Sequence, residues 1–147
     1  MDNIKYLREY PEYWILDLGG RTVTSLFLDF SFGIDLYEKD KTLHIRIANV
    51  FTFTTSNKTF NIIEDKEYVI DPSVITNISP ALIVFQKDMD KVIIYKSGDL
   101  MIHFKDGCQI NTKASFEFEA WSIAGEDGLK FFSLPGNGGL EIYLPNQ

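Results

Sequence analysis

Two stretches of this sequence, LFLDFSFGIDL at residues 26–36 and LMIHFKDGCQI at residues 100–110, align without gaps. Each copy alternates apolar residues with other side chains, closes its first half on a Phe and resumes the alternation after a Gly. Alternation on both sides of a short Gly-containing segment is typical of a β-hairpin. We therefore predict the same hairpin twice, with Gly33 and Gly107 in its turn, and a protein built from two related β halves.

The composition fits one soluble β-rich domain. A chain of 147 residues is long enough to bury a substantial core. Twelve Phe, seven Tyr and two Trp favour strands over helices. The predicted fold class is mainly β (α+β), an antiparallel meander whose two halves form either a sandwich or a partly open barrel.

The chain divides into a first β half over about 13–63, a helical connection over about 71–88 and a second β half over about 91–144. Asp71-Pro72 and Ser79-Pro80 each place a capping residue before a proline at the first helical position. They predict a bridge containing one short helix near 80–87. Because residues 81–85 are apolar nearly all round, we expect that helix to be deeply packed. A further helix is predicted over about 3–10, before Pro11.

Charge and cysteine content restrict the partners and the location. The net charge of −7 argues against binding to nucleic acid or to an anionic membrane surface, since both rely on cationic side chains. No apolar run approaches the roughly 20 residues that span a bilayer, and the N-terminus lacks the features of a signal peptide. The single Cys108 excludes an intrachain disulfide and a multi-cysteine zinc site. We expect a cytoplasmic protein whose acidity suits a basic protein partner.

Three motifs in the second half carry a resemblance. They are G-D-L-x-I-x-F-x-D-G at 98–107, F-E-A-W at 118–121 and P-G-x-G-G-L at 135–140. Together they resemble a family of small uncharacterised bacterial β-rich proteins with a similar hairpin, strand and P-G-G turn. This chain differs by the insertion of Asn137 into that turn and by Tyr143 in place of a Trp. The resemblance implies a compact bacterial β-protein and supplies no catalytic residues.

The best candidate site lies in the predicted strand 116–123, where Glu119 and Trp121 fall on one side. A carboxylate beside a Trp suits a ligand pocket, although a Trp closing the core and a hydrogen-bonded Glu is the more frequent arrangement. His44 and His103 fall on the solvent-facing sides of their strands and lack any local metal-ligand spacing. All four residues are binding candidates. No catalytic residue, metal site or cofactor is predicted.

The predicted function is that of a non-catalytic protein-binding module, with an immunity-type role against a basic partner as its most specific form. The alternative is a small-molecule binding protein or an enzyme, with a pocket between the two β halves that uses Glu119, Trp121 and His103. An exposed strand edge also offers a route to a homodimer.

Overall fold

The computed structural model describes residues 6–38, 41–59 and 62–145, without the side chains of residues 57–59, 62–65 and 127. Within these ranges the chain forms two antiparallel sheets. The seven-stranded sheet has the order β1 (Leu7–Glu9), β2 (Tyr13–Asp17), β8 (Met89–Tyr95), β9 (Leu100–Phe104), β10 (Gln109–Thr112), β6 (Phe51–Thr59), β7 (Ile62–Ile70). The six-stranded sheet has the order β13 (Leu140–Tyr143), β12 (Lys130–Ser133), β11 (Trp121–Ala124), β5 (Lys41–Ile47), β4 (Phe32–Glu38), β3 (Ser25–Leu28).

The sheets pack face to face because their strands alternate apolar and polar residues. In β5, Leu43, Ile45 and Ile47 are buried, and the side chains between them face outward. Ring contacts join the sheets, Trp14 with Phe131 and Phe32 with Phe51. The fold is therefore a sandwich, which confirms the mainly β prediction and decides between its two forms.

The two copies of the repeated hairpin lie in different sheets and turn at different places. In the first copy Leu28 pairs with Phe32, so the turn is 29–31. In the second copy the turn is 105–107, which is two residues later in the alignment. The prediction that Gly33 is a turn residue is thus wrong. It lies in β4 opposite Phe27, and a Cβ there would stand 2.6 Å from the Phe27 ring. Gly107 does occupy its turn, with a left-handed φ of +97°.

The connection between β7 and β8 contains two 3₁₀ helices, Ile75–Asn77 and Ser79–Val84. The predicted short helix near 80–87 is confirmed, although it is tighter and ends earlier. The expectation of deep packing is wrong, because the segment covers the core with one side only. Ile78, Ala81 and Val84 are buried, whereas three apolar neighbours are exposed: Leu82, Ile83 and Phe85.

The predicted helix over 3–10 is also wrong for the part that the structure describes. Leu7–Glu9 form strand β1, which pairs with β2 from Leu7 opposite Leu16 to Glu9 opposite Trp14. Residues 3–5 lie outside the described ranges. In those ranges no helix is long and apolar enough to cross a membrane.

Candidate functional site

Four connecting segments emerge together at one end of the six-stranded sheet. The strands end there on a common level, as their pairings show. Leu28 pairs with Phe32, and Ile47 pairs with both Phe32 and Trp121. At the other side of the sheet, Ser133 pairs with Leu140. Segments 29–31, 48–50, 113–120 and 134–139 follow, and we call this surface the loop end. Six strands at about 4.8 Å spacing make it about 24 Å wide. Loops held by a rigid sheet are where β-sandwiches commonly carry their binding residues.

The most prominent part of the loop end is the segment 113–120. The prediction of a strand over 116–123 is wrong for its first half, since β11 begins only at Trp121. The Ser115 hydroxyl accepts hydrogen bonds from the amides of Glu117 and Phe118 at 3.2 and 3.4 Å, bonds that compete with strand pairing. Phe116 is 73% exposed, and Glu117, Phe118 and Glu119 are exposed too.

Backbone hydrogen bonds hold this segment at both ends. The Phe116 carbonyl accepts from the Gly136 amide at 2.8 Å. The Ala120 carbonyl accepts from the amides of Ala48 and Asn49 at 2.8 and 3.1 Å. The exposed phenyl rings are thus carried by a backbone that is tied to two neighbouring segments.

Phe30 adds a third exposed aromatic ring to the loop end. It is 83% exposed and has a φ of 59°, a left-handed conformation that is uncommon for a bulky residue. Such backbone strain concentrates at functional sites. Beside it, Asp29 accepts a 2.6 Å hydrogen bond from Ser31 and lies 3.6 Å from Arg46. The Ser31 bond and then the Arg46 charge lower the pKa of Asp29 below its usual 3.8, so this carboxylate is ionised at neutral pH.

Trp121, a predicted binding residue, lies in the core. Its side chain is 1% exposed, and its indole Nε1 donates a 2.7 Å hydrogen bond to the Gly98 carbonyl. The Ser133 hydroxyl donates to the same oxygen at 2.8 Å. Glu119 is exposed and precedes the strand, so the predicted placement of Glu119 and Trp121 on one strand side is wrong. The indole of Trp121 joins β11, β12 and the turn before β9.

His44 lies on the outer face of the six-stranded sheet. Its Nδ1 is 2.7 Å from Asp35 Oδ1, and the Ser25 hydroxyl donates to Asp35 Oδ2 at 2.9 Å. The Phe27 ring stacks on the imidazole at 4.5 Å between centroids. Because Asp35 stands between the serine and the histidine, His44 cannot take the Ser25 proton directly, as a catalytic triad requires.

His103 lies on β9 in the other sheet, where its Nδ1 is 2.8 Å from Asp90 Oδ2. The two histidines therefore belong to different sheets, and each pairs with an aspartate. The structure does not bring Glu119, Trp121, His44 and His103 together at one place. Sequence patterns missed Phe30, Phe116 and Phe118, because alternating Phe and Glu reads like a strand and no signal marks Phe30 as a turn residue.

The surface formed by the described residues includes two concavities. One concavity of about 390 Å³ is lined by Gln86, Lys87, Asp88, Lys105 and Asp106. Another of about 290 Å³ is lined by Gly128, Lys130, Phe132, Glu141 and Tyr143. The linings of these two do not include any of the four predicted binding residues. Among the described side chains, no group of three or more His, Cys, Asp or Glu is arranged to hold a metal ion.

These features define an antiparallel β-sandwich that presents anchored aromatic and acidic loops at one end. The chain belongs to a family of unknown function, DUF6188, whose family model matches residues 14–143. The predicted membership of an uncharacterised family is thereby confirmed. No curated protein and no solved structure matches the chain.

Proposed function

We propose that this protein is a non-catalytic protein-binding module that uses the loop end to contact a basic partner protein. The observation that carries the proposal is the segment Phe116–Glu119, whose backbone is tied down while its phenyl rings face solvent. Aromatic side chains dominate the energetics of protein interfaces, because each buries a large apolar area on binding.

The hydrogen bonds that hold the loops in place support a role in binding. Association costs free energy when loops and side chains are ordered at the interface, and a loop that is already held loses less. The Ser115, Gly136, Ala48 and Asn49 bonds supply that order before a partner arrives. A phenyl ring also has only two side-chain torsions to fix on binding.

Charge indicates the class of partner. Three acidic residues, Asp29, Glu117 and Glu119, and one lysine, Lys113, lie at the loop end, and the whole chain carries −7. Complementary charge raises the association rate and selects against acidic competitors. An immunity-type role, in which the module neutralises a basic toxin, is the most specific form of this proposal. Because the residues predicted for a small-molecule pocket are dispersed, we favour the protein-binding function over that alternative.

The test is co-purification of the full chain with the products of neighbouring genes at low ionic strength. We expect a basic protein to be retained by the wild type and lost by the double variants Phe116→Ser/Phe118→Ser and Glu117→Lys/Glu119→Lys. Retention should fall with added salt, because exposed charges are screened. Glu67→Lys, on exposed β7 in the other sheet, is the matched control and should bind like the wild type.

Two outcomes would contradict the proposal. One is the absence of any retained partner at low ionic strength. The other is equal loss of binding in the loop-end variants and in Glu67→Lys, which would place the contact elsewhere.

A further inference from the structure

Among the uncharged runs of this acidic chain, two meet in the structure. They are residues 22–28, which lead through β3, and residues 72–86, which form most of the connection between β7 and β8. Charged residues make up 24% of the chain, so an uncharged run of fifteen residues is notable on its surface.

These two segments meet at Val23. The Gln86 amide donates to the Val23 carbonyl at 3.0 Å, and the Val23 amide donates to the Lys87 carbonyl at 3.0 Å. The other end of the connection follows Ile70, the last residue of β7, which pairs with Phe51. The Phe51 ring contacts Phe32, the residue that pairs with Leu28, so this end lies near the end of β3. The connection therefore begins near the level of Leu28 and ends at Val23, and we call the exposed surface of these two segments the uncharged border.

The uncharged border exposes a large apolar area. Seven large apolar residues of these two segments are exposed: Phe27, Leu28, Val74, Ile75, Leu82, Ile83 and Phe85. Scaled to the full area of side chains of this size, their exposed fractions amount to roughly 600 Å². Part of this area, the Phe27 ring, lies over His44 on the outer face of the sheet, and the total approaches the ~800 Å² that one partner buries in a standard interface.

Beyond Val23, whose backbone bonds to the connection, strand β3 offers an open edge over Ser25–Leu28. In the described residues it pairs with β4 on one side and ends the six-stranded sheet on the other. Natural proteins commonly block such edges with lysine, proline or inward-pointing charge. Residues 22–28 contain none of these, and the four residues of β3 are protected only by their short length.

We infer that a second copy of this chain docks on the uncharged border, with β3 pairing antiparallel to its counterpart across a two-fold axis. An antiparallel edge is self-complementary, so one surface serves both copies. Two chains of −7 repel each other, and the uncharged border keeps carboxylates out of the contact, so that only the longer-range repulsion between the chains remains. A basic partner would gain no Coulombic attraction from it, which separates this surface from the loop end.

Sedimentation velocity on the full chain tests the inference. We expect a concentration-dependent equilibrium between monomer and dimer. Its dissociation constant should lie below roughly 100 µM, the range that a modest interface supports. Ile83→Glu and Leu82→Glu should each weaken the dimer by at least about 100-fold, since the symmetry places one new carboxylate in each of two equivalent apolar contacts. Leu144→Glu is the control, because Leu144 is exposed to a similar extent, 49% against 53% for Ile83, and follows β13 at the opposite edge of the sheet.

Salt separates this inference from the proposed function. Raising the ionic strength from about 0.01 to 0.15 M should strengthen the dimer, because it screens the repulsion between two acidic chains. The same change should weaken binding of a basic partner at the loop end. A wild type that stays monomeric, or a dimer that survives both border variants while they remain folded by circular dichroism, would overturn the inference. Neither result would affect capture of a basic partner.

Discussion

Replacement of Trp121 by Phe tests whether this residue serves stability or binding. The Trp121 indole and the Ser133 hydroxyl both donate to the Gly98 carbonyl. A carbonyl oxygen has two lone pairs and can accept both bonds. Trp121→Phe removes one donor and part of a buried ring, Ser133→Ala removes the other donor, and the double variant removes both side-chain donors.

The expected costs follow from these contacts. The net contribution of one hydrogen bond to stability is about 1 kcal/mol. Truncation of a buried Trp to Ala costs about 3–5 kcal/mol, and truncation to Phe costs less than half of that because most of the ring remains. We therefore expect Trp121→Phe to lower the free energy of unfolding by about 2–3 kcal/mol and Ser133→Ala by about 1 kcal/mol. The double variant leaves a buried carbonyl without its side-chain donors, so its cost should exceed the sum by about 1 kcal/mol.

Urea unfolding followed by far-ultraviolet circular dichroism measures all three, with the slope m as a check on two-state behaviour. Trp14→Phe is the matched control, because the Trp14 Nε1 is buried and finds no acceptor among the described residues. That variant loses no hydrogen bond and should cost about 1 kcal/mol or less. A cost below about 1 kcal/mol for Trp121→Phe, or additivity within about 0.5 kcal/mol in the double variant, would refute this account of Trp121.

Three further predictions concern other parts of the sandwich. Gly33→Ala should destabilise the protein by about 1–3 kcal/mol in thermal unfolding, and Phe27→Ala in the same chain should recover part of the loss by removing the ring that a Cβ would meet. Burial raises the pKa of Asp106, but hydrogen bonds from the Lys87 ammonium and the Cys108 amide outweigh it, and the pKa lies below the usual 3.8. Stability from this carboxylate is therefore present at neutral pH and lost as the pH falls below about 4, so Asp106→Asn should lose less stability on acidification than the wild type in urea titrations. The Cys108 side chain is 3% exposed, and this burial is the main cause that raises the pKa of its thiol. Labelling by a thiol reagent should therefore be slow in the folded protein and fast in denaturant. Rapid labelling of the folded chain would contradict its burial.

Sequence patterns predicted the strands best where alternation and burial agree. Leu43, Ile45 and Ile47 alternate with outward residues, and this stretch forms strand β5. The same pattern failed at residues 116–119, because alternating Phe and Glu satisfies the period of a strand while Ser115 binds the local amides. Alternation reports which residues share a side and carries no information about competing side-chain bonds.

The candidate site was less accessible to prediction, because it depends on contacts between distant segments. Ala48 and Ala120 are bonded through their backbones, so no side-chain identity marks the contact. The sequence does not predict the turn at Phe30, because glycine is the residue that usually adopts a left-handed φ. The nearby glycine, Gly33, lies two positions after the turn, where its missing side chain leaves room for the Phe27 ring. The sequence allows a buried Trp121 as one of two alternatives. Only the structure shows that Trp121 and Ser133 donate to the same carbonyl oxygen of Gly98.

The strand order imposes a delay on folding. Strand β2 pairs with β8, and β5 pairs with β11, so neither sheet can be completed from the first half of the chain. During synthesis β5 must leave the ribosome and wait until β11 follows, with its apolar side and one edge unsatisfied. Contacts so distant in sequence slow folding and prolong the time during which partly folded chains can aggregate. We therefore expect refolding on the slow, millisecond-to-second side of the range for small domains, and a benefit from chaperones that bind exposed strands before residue 124 is made.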